Sequence, residues 1–218
     1  MPKADFKYYA LHYLNLWVRH DGPCCDTLAG RDRSQKLRAL ATAAVEYRIA
    51  RNLPTCHDEG KGLQRYRPVL DIIDDQKPAD FQGDNLVPSI MKVSKEISEK
   101  YGGRGTLSLT TKFLWMKMKS PIIIYDDRAR TAVGIAIDKL EEYYKEWRAR
   151  FERCDRLIGD ACASLQGVRE YTENPEIATR PYIAEITARP WFRERVFDAS
   201  LWGGGVMSVI ERPPLQIH

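Results

Sequence analysis

The sequence predicts an all-α fold, a helical bundle, and three observations lead to that prediction. Apolar residues recur at helical spacing through most of the 218-residue chain. No stretch of alternating apolar and polar residues is long enough to build a sheet. The apolar share of 44% and the charged share of 29% are ordinary for a globular chain of this length, so we expect one helical domain over residues 1–218.

The first part of the chain predicts two helices and then a loop. One helix covers residues 5–19 and ends at Gly22-Pro23. A second begins at a serine cap and covers residues 34–51. Residues 56–84 mix Gly, Pro, Asp and Lys with short apolar stretches, which predicts a long loop around one short helix at residues 69–73.

The middle of the chain predicts helix, glycine turn, helix, connector and helix, in that order. An aspartate, Asp126 or Asp127, is placed to cap the last of these helices. The predicted elements are helices at 88–101 and 108–119 around the glycine turn 102–105, an apolar connector at 121–125, a helix from 128 to 140, and later helices at about 148–170 and 191–202.

Composition excludes several classes of protein. No run approaches the roughly 18 uncharged apolar residues that a membrane-spanning helix requires. The charged start Met1-Pro-Lys-Ala-Asp-Phe-Lys argues against a signal peptide, so we expect a cytoplasmic protein. None of the four histidines pairs with a serine or cysteine in a recognisable nucleophilic dyad, so a hydrolase triad is not expected.

The five cysteines are odd in number and irregularly spaced, which favours reduced thiols over a disulfide framework. Cys24, Cys25, Cys56 and His57 leave a zinc site open as an alternative. Small buried hydrophobic residues are the favoured interpretation, because the usual Cys-x2-Cys spacing is missing. We therefore expect no metal and no cofactor.

Positive charge is concentrated in one segment. The whole chain carries a net charge of +4, whereas residues 92–130 hold nine basic and four acidic residues, a net charge of +5. Such a concentration is typical of an element that contacts phosphates, although a solvated helical face has the same composition. The charge therefore favours a partner that carries phosphates, and we expect neither a membrane nor an obligate protein partner.

A short stretch of this basic segment carries a family resemblance. Ser108-Leu-Thr-Thr-Lys-Phe-Leu114, followed by Pro121-Ile-Ile-Ile-Tyr-Asp126, resembles the second hairpin helix, connector and catalytic aspartate of the helix-hairpin-helix DNA glycosylases, in their 8-oxoguanine DNA glycosylase branch. The preceding element, at about 88–119, would be a degenerate helix-hairpin-helix, since the family's hairpin signature is reduced to Tyr101-Gly-Gly-Arg-Gly105. The sequence also departs from the family at Ser108, which stands where the family has its Schiff-base lysine.

The resemblance implies a partner, double-stranded DNA with a damaged or modified base, together with an activity and a set of site residues. Asp126 would be the catalytic carboxylate, and Lys112 is the nearby amine that could replace the missing lysine. A flipped base that is damaged or modified would enter a pocket with aromatic walls. The residues expected to bind the DNA backbone are Gly103, Arg104, Gly105, Ser108, Lys117 and Lys119, and those expected to line the base pocket are Trp115, Tyr125, Trp191, Phe192 and Trp202.

The chemistry of Asp126 can be stated without the family. Cleavage of an N-glycosidic bond builds positive charge on the deoxyribose, which a carboxylate beneath the sugar stabilises while it orients the attacking water. An aspartate at a helix N-terminus stays ionised, because the free N–H groups favour the anion. Without a lysine placed to form an imine, the reaction stops at base release, so we expect a monofunctional glycosylase.

Other interpretations of the same residues stay open. Asp126 with Asp127 is also an ordinary N-cap pair, and Gly102 to Gly105 an ordinary helix stop. The chain would then be a non-enzymatic helix-hairpin-helix DNA-binding module, or a helical defence-associated interaction protein without DNA contact. A glycosylase of this kind fits base-excision repair and defence against phage DNA with modified bases equally well.

Overall fold

The computed structural model describes residues 5–53 and 59–203, and within those ranges every regular element is a helix. The predicted all-α class is confirmed. The α-helices are α1 Phe6–Leu16, α2 Gly22–Ala29, α3 Arg33–Glu46, α4 Glu59–Gln64, α5 Arg67–Asp74, α6 Leu86–Lys100, α7 Leu107–Met118, α8 Asp127–Val133, α9 Leu140–Ala163, α10 Arg180–Thr187 and α11 Pro190–Trp202.

The chain divides into two compact units. Residues 20–125 form one, which we call the middle unit, and the two ends of the chain, 1–19 and 126–218, together form the other, the terminal unit. The chain thus leaves the terminal unit after Arg19 and returns to it at Asp126. This division does not test whether the chain folds as one domain over residues 1–218, which stays a prediction.

The middle unit is built around α7. Eight consecutive residues of this helix, 109–116, are buried, which requires neighbours on every side. Helices α2, α5 and α6 supply them. The apolar side chains Phe113, Leu114 and Trp115 account for the helix being a core element, and Lys112 is buried among them.

The terminal unit is held together by aromatic packing among α1, α9 and α11. The ring of Tyr13 on α1 lies 5.1 Å from that of Phe192 on α11, measured between centroids. Trp147 on α9 meets Phe197 on α11 edge to face at 4.9 Å. Such pairs add to the burial of their large apolar surfaces, and they fix α11 as the helix that α1, α8 and α9 all contact.

The N-terminal predictions need two corrections. Gly22-Pro23 does not end a helix but begins α2, after a π-helical turn at Trp17–Asp21. Proline suits the first turn of a helix, because N–H groups there have no acceptor within the helix and the N–H that proline lacks is not needed. The cap of α3 is Asp32 rather than a serine, since its carboxylate accepts the N–H groups of Ser34 and Gln35.

Two further predictions are wrong. The stretch 56–84 is not a loop around one short helix, because α4 and α5 run through it and Tyr66, Leu70 and Phe81 are buried; residues 54–58 lie outside the described ranges. The helix that begins after Asp126 does not reach Leu140 but ends at Gly134, which adopts a left-handed φ of 78°.

Candidate functional site

The predicted glycine turn joins α6 and α7 at the surface. Gly102 and Gly103 adopt φ values of 73° and 80°, which are strained for other residues, and the N–H of Gly103 donates to the Ser98 carbonyl at 3.0 Å. The Ser98 hydroxyl donates to the carbonyl of Arg104 at 2.7 Å, so the turn is tied back onto α6. Residues 102–105 are all exposed, and a partner has access to their backbone. Their contact with DNA stays a prediction.

Ser108, which stands at the position of the family's lysine, and Lys112, which could replace that lysine, are hydrogen-bonded to each other. The ammonium group of Lys112 reaches back one helical turn and donates to the Ser108 hydroxyl at 2.8 Å. The same ammonium group lies 5.9 Å from the centre of the Tyr47 ring. Lys112 is only 2% exposed, so its amine is held at the serine position inside the middle unit.

The other two lysines predicted to bind the DNA backbone, Lys117 and Lys119, interact with groups of the middle unit. Lys117 donates to the carbonyls of Ile73 and Asp74, at 2.7 and 2.6 Å, where α5 ends. Desolvation lowers the pKa of Lys117, against the nearby charge of Asp74. Lys119 follows α7, half-buried, and its charge faces the buried thiol of Cys25. A phosphate would have to compete with these partners, and both contacts stay predictions.

A buried connector leads from α7 to Asp126. Residues 122–125 are buried and belong to no helix, as expected of an apolar connector. The N–H of Tyr125 donates to the Thr111 hydroxyl at 3.0 Å, which anchors the connector to α7 at its last residue. Asp126 comes directly after the connector and is the N-cap of α8.

Asp126 caps α8, as predicted. Its backbone is extended, with φ −147° and ψ 165°, and one carboxylate oxygen accepts the N–H of Arg128 at 2.9 Å and that of Ala129 at 3.0 Å. Asp126 is 6% exposed, whereas the side chain of Asp127 is 76% exposed. Two adjacent aspartates therefore have opposite environments, and only the first is a buried anion at a helix start.

Within the terminal unit, the charge of Asp126 acts on a buried phenol. Burial above all, and then the negative charges of Asp198 and Asp126, raise the pKa of Tyr143 well above its ordinary value. Tyr143 is fully buried on α9 and stays a neutral hydroxyl at any physiological pH. The surroundings of Asp126 are therefore water-poor, an environment in which a fixed carboxylate acts strongly on developing positive charge.

The predicted base-pocket residues separate into two groups. Trp115, Tyr125 and Phe192 are at most 6% exposed and pack in the cores of their units. Trp191 is half-buried, 4.4 Å from the Trp17 ring. Trp202 is 40% exposed and lines an open cleft in the terminal unit. That any of the five rings contacts a base stays a prediction.

The predicted catalytic pair is divided between the units. Lys112 belongs to the middle unit and Asp126 to the terminal unit. The middle unit also contains the residues predicted to bind the DNA backbone: Gly103, Arg104, Gly105, Ser108, Lys117 and Lys119. The terminal unit contains three of the predicted base-pocket residues: Trp191, Phe192 and Trp202. The elements around Asp126 are therefore α8, α9 and α11, and those around Lys112 are α2, α6 and α7.

A buried polar cluster in the middle unit was missed at the sequence level. His20 Nδ1 lies 2.9 Å from an oxygen of Asp21, and its Nε2 lies 3.9 Å from the sulfur of Cys24. The Tyr47 hydroxyl bonds to both oxygens of Asp21 at 2.8 Å. The sequence showed no histidine placed with a serine or cysteine as a nucleophilic dyad, whereas in the structure His20 and Cys24 face each other. The signal was the four-residue separation of His20 and Cys24, which places both on one helical face.

The cluster is charged. Burial disfavours protonated His20, but the hydrogen bonds and negative charge offered by Asp21 and Cys24 outweigh it and raise the pKa of His20 to about 10. At pH 7 an imidazolium therefore faces the Asp21 carboxylate. Since Asp21 is 0% exposed, Cys24 5% and His20 7%, the cluster lies in the core, where it joins the π-turn and α2 to the end of α3.

Cys24, Cys25, Cys154 and Cys162 are free and buried, and burial raises the pKa of the Cys25 thiol to about 12 despite the charge of Lys119. Across residues 5–53 and 59–203 no group of three metal-ligating side chains comes together. Cys56 and His57, the other half of the alternative zinc site, lie outside those ranges.

In the part of the chain that the structure describes, no helix combines the length and the apolar character needed to cross a membrane. Comparisons with known proteins give no match, whether with protein-family models, curated proteins or solved structures. The chemistry of the residues is therefore what indicates a function.

Proposed function

We propose that the protein is a DNA glycosylase that flips a damaged or modified base and hydrolyses its N-glycosidic bond. The observation that carries the proposal is Asp126, a buried carboxylate fixed by two backbone N–H groups at the first turn of α8. It follows a helix, an exposed glycine turn, a helix and a connector, the order that resembles the helix-hairpin-helix glycosylases. Both repair and defence against modified phage DNA are open to such an enzyme.

The fixed geometry of Asp126 suits electrostatic catalysis. A carboxylate whose position is set by backbone hydrogen bonds needs no reorganisation when an oxocarbenium ion develops beside it. The two N–H donors and the helix start hold the group as an anion, which favours charge stabilisation over proton abstraction. We therefore assign Asp126 to stabilising the sugar cation and orienting water, as opposed to forming a covalent intermediate.

Lys112 bears on whether the reaction goes further than base release. An imine requires an uncharged amine in contact with C1′ of the sugar, and Lys112 is buried and hydrogen-bonded to Ser108. The proposal is therefore a monofunctional enzyme that leaves an intact abasic strand. Borohydride should trap no protein–DNA adduct. An adduct formed by the wild type and lost in Lys112→Gln would instead assign lyase activity to Lys112.

The proposal is tested with duplexes that carry a panel of base lesions and phage-type base modifications. The protein is incubated with each duplex, and abasic sites are then cleaved with alkali. We expect alkali-dependent strand breaks on at least one substrate, and no breaks without alkali. Mass spectrometry of the released base identifies the substrate and excludes nuclease contamination as the source of the breaks.

Asp126→Asn and Asp127→Asn form the matched pair for this assay. Asparagine caps helices as well as aspartate does, so the first variant removes the charge and keeps the helix start. The second removes an equal charge from the exposed neighbour. We expect base release to fall by a factor of about 100 or more in Asp126→Asn, on the scale of losing one transition-state contact, and to persist in Asp127→Asn. DNA affinity should survive in both.

A second candidate function is a DNA-binding module without catalysis. It is favoured by one observation, that capping of α8 already accounts for a buried aspartate at this position. It predicts salt-dependent binding of duplex DNA and no abasic product on any substrate. A panel that yields no base release, with binding retained, supports this candidate over the glycosylase.

A further inference from the structure

We propose that a cleft in the terminal unit, at the C-terminal end of α11, binds an unpaired nucleobase of a nucleic-acid strand by stacking. The lining residues, which we call the aromatic cleft, are Tyr8, Tyr9, His12, Ala199, Trp202 and Gly203. The proposal goes beyond glycosidic cleavage, because a strand can be held at this cleft whether or not Asp126 cleaves any bond.

Aromatic rings make up most of the lining. Tyr8 and Trp202 are 63% and 40% exposed, and His12 is exposed as well. The rings of Tyr8 and His12 are stacked with 10° between their planes and 6.1 Å between their centroids. Large rings normally avoid such exposure, and several exposed rings around one concave surface are typical of a stacking platform.

Gly203 and Tyr9 give the cleft its inner wall. The ring of Tyr9 stands edge to face with that of Tyr8, with centroids 5.2 Å apart. A Cβ at Gly203 would collide with the Tyr9 hydroxyl, so a glycine is required where α11 ends. The resulting cleft encloses about 330 Å³, at the small end of the range for organic ligands. This size suits a single flat base better than a folded partner surface.

Arg128 supplies the charge that a strand requires. Its guanidinium group lies 5.4 Å from the centre of the Trp202 ring. A cation held on the face of a tryptophan at the cleft edge is complementary to a base that carries its own phosphate. This charge separates a nucleotide from an uncharged aromatic ligand as the occupant.

Arg128 also links the cleft to Asp126. Its backbone N–H donates to the Asp126 carboxylate at 2.9 Å, while its side chain extends to Trp202. One residue, Arg128, thus contacts both the buried carboxylate and a ring that lines the cleft. A strand engaged at the aromatic cleft would be held next to the residue to which we assign the chemistry.

The test uses two fluorescein-labelled single strands of equal length and charge, ten thymidines and ten abasic sites. Binding is measured by anisotropy at low salt. We expect the wild type to prefer the thymidine strand by about tenfold, because only that strand has bases to stack. Trp202→Ala and Tyr8→Ala should remove this preference and keep the residual salt-dependent affinity, whereas Arg128→Gln should weaken the binding of both strands.

Tyr171→Ala is the matched control, since it removes an equally exposed tyrosine, 72%, elsewhere in the terminal unit. Equal affinities of the wild type for the two strands would overturn the proposal, as would an unchanged preference in Trp202→Ala. A truncation after Gly203 tests the chain's own continuation as occupant: a thymidine preference that exists only in the truncated protein also overturns it. Repeating the assay in Asp126→Asn separates the two proposals, because stacking should persist there even if no substrate of the enzyme is ever found.

Discussion

Asp21 and Asp126 stand close to the two places where the chain passes between its units, and they hold their negative charges in different ways. Asp21 is neutralised by side chains: the His20 imidazolium faces it and the Tyr47 hydroxyl donates to it. Asp126 is held by the backbone N–H groups of its own helix. Asp21 is thus stabilised by an ion pair and a phenol, whereas Asp126 is hydrogen-bonded at the N-terminal end of a helix.

The largest expected difference between these two regions is in stability. Asp21→Asn leaves a protonated histidine buried without its counter-ion, which we expect to lower the free energy of unfolding by about 3–5 kcal/mol. Asp126→Asn keeps an N-cap and should cost about 1 kcal/mol or less. Urea unfolding of both variants measures the difference. Equal losses would contradict the distinction between a carboxylate held by an ion pair and one that caps a helix.

If Asp21→Asn fails to fold, the less disruptive variant Tyr47→Phe still tests whether the cluster around Asp21 stabilises the middle unit. It keeps the ion pair and removes only the hydroxyl that donates to both oxygens of Asp21. We expect a loss of about 1–3 kcal/mol, the cost of leaving part of a buried polar group unsatisfied. A neutral Tyr47→Phe would show that the cluster does not stabilise the middle unit.

The second difference is in pH dependence. The folded pKa of His20, about 10, lies above its unfolded value of 6.5. The stabilisation is therefore complete below pH 6.5 and is lost as the pH rises toward 10, because over this range the unfolded chain releases a proton that the folded chain keeps. Between pH 7 and 8, where most thiols of the unfolded chain still keep their protons, the free energy of unfolding should fall by about 1–1.4 kcal/mol per pH unit.

His20→Gln provides the control for this slope. The variant lacks the titrating imidazole. The quantity compared is the change in unfolding free energy per pH unit, so a lower overall stability of the variant does not affect the comparison. A slope that is the same in wild type and variant would mean that His20 is not the group that keeps its proton. The surroundings of Asp126 contribute no such slope, since Tyr143 keeps its proton throughout this interval.

A third, smaller effect concerns the glycine turn, where backbone and not side chain sets the geometry. Gly103 has a φ of 80° and Gly105 does not have a positive φ, and a Cβ at either position meets open space. Gly103→Ala should cost about 1–2 kcal/mol from the left-handed conformation alone, and Gly105→Ala close to nothing. Thermal unfolding of the pair checks this, and equal effects would indicate that contacts missing from this account control the turn.

The smallest effect separates capping from charge at Asp126 itself. Asp126→Ala removes both the cap and the charge, and we expect it to cost about 1 kcal/mol more than Asp126→Asn. Base release, in contrast, should be lost to the same extent in both variants. An alanine variant that is less active than the asparagine variant by a large factor would assign Asp126 mainly to holding α8 in place.

Local chemistry made part of this fold predictable. The helix predicted at 88–101 is α6, Leu86–Lys100, because its apolar stripe and the glycines after it act within a few residues. Asp126 was predictable as a cap for the same reason. The prediction for 56–84 failed because burial of Tyr66 and Phe81 depends on distant neighbours in the middle unit, and these outweigh the local Gly and Pro signals.

The candidate site was predictable only in part. The pairing of Lys112 with Ser108 follows from their four-residue spacing, which a sequence shows directly. The burial of Trp115 and Phe192 does not, since an aromatic residue has the same pattern in a core helix and at a pocket wall. Of the aromatic cleft, the sequence indicated only Trp202, because the cleft combines residues of α1 with the end of α11, which are far apart in the chain.

The most direct test of the account is the single-turnover rate of base release by Asp126→Asn against Asp127→Asn, on the best substrate of the panel, with both proteins shown to be folded and to bind that duplex equally. The account predicts that Asp127→Asn releases the base at close to the wild-type rate and that Asp126→Asn is slower by a factor of about 100 or more. Equal rates for the two variants would contradict it.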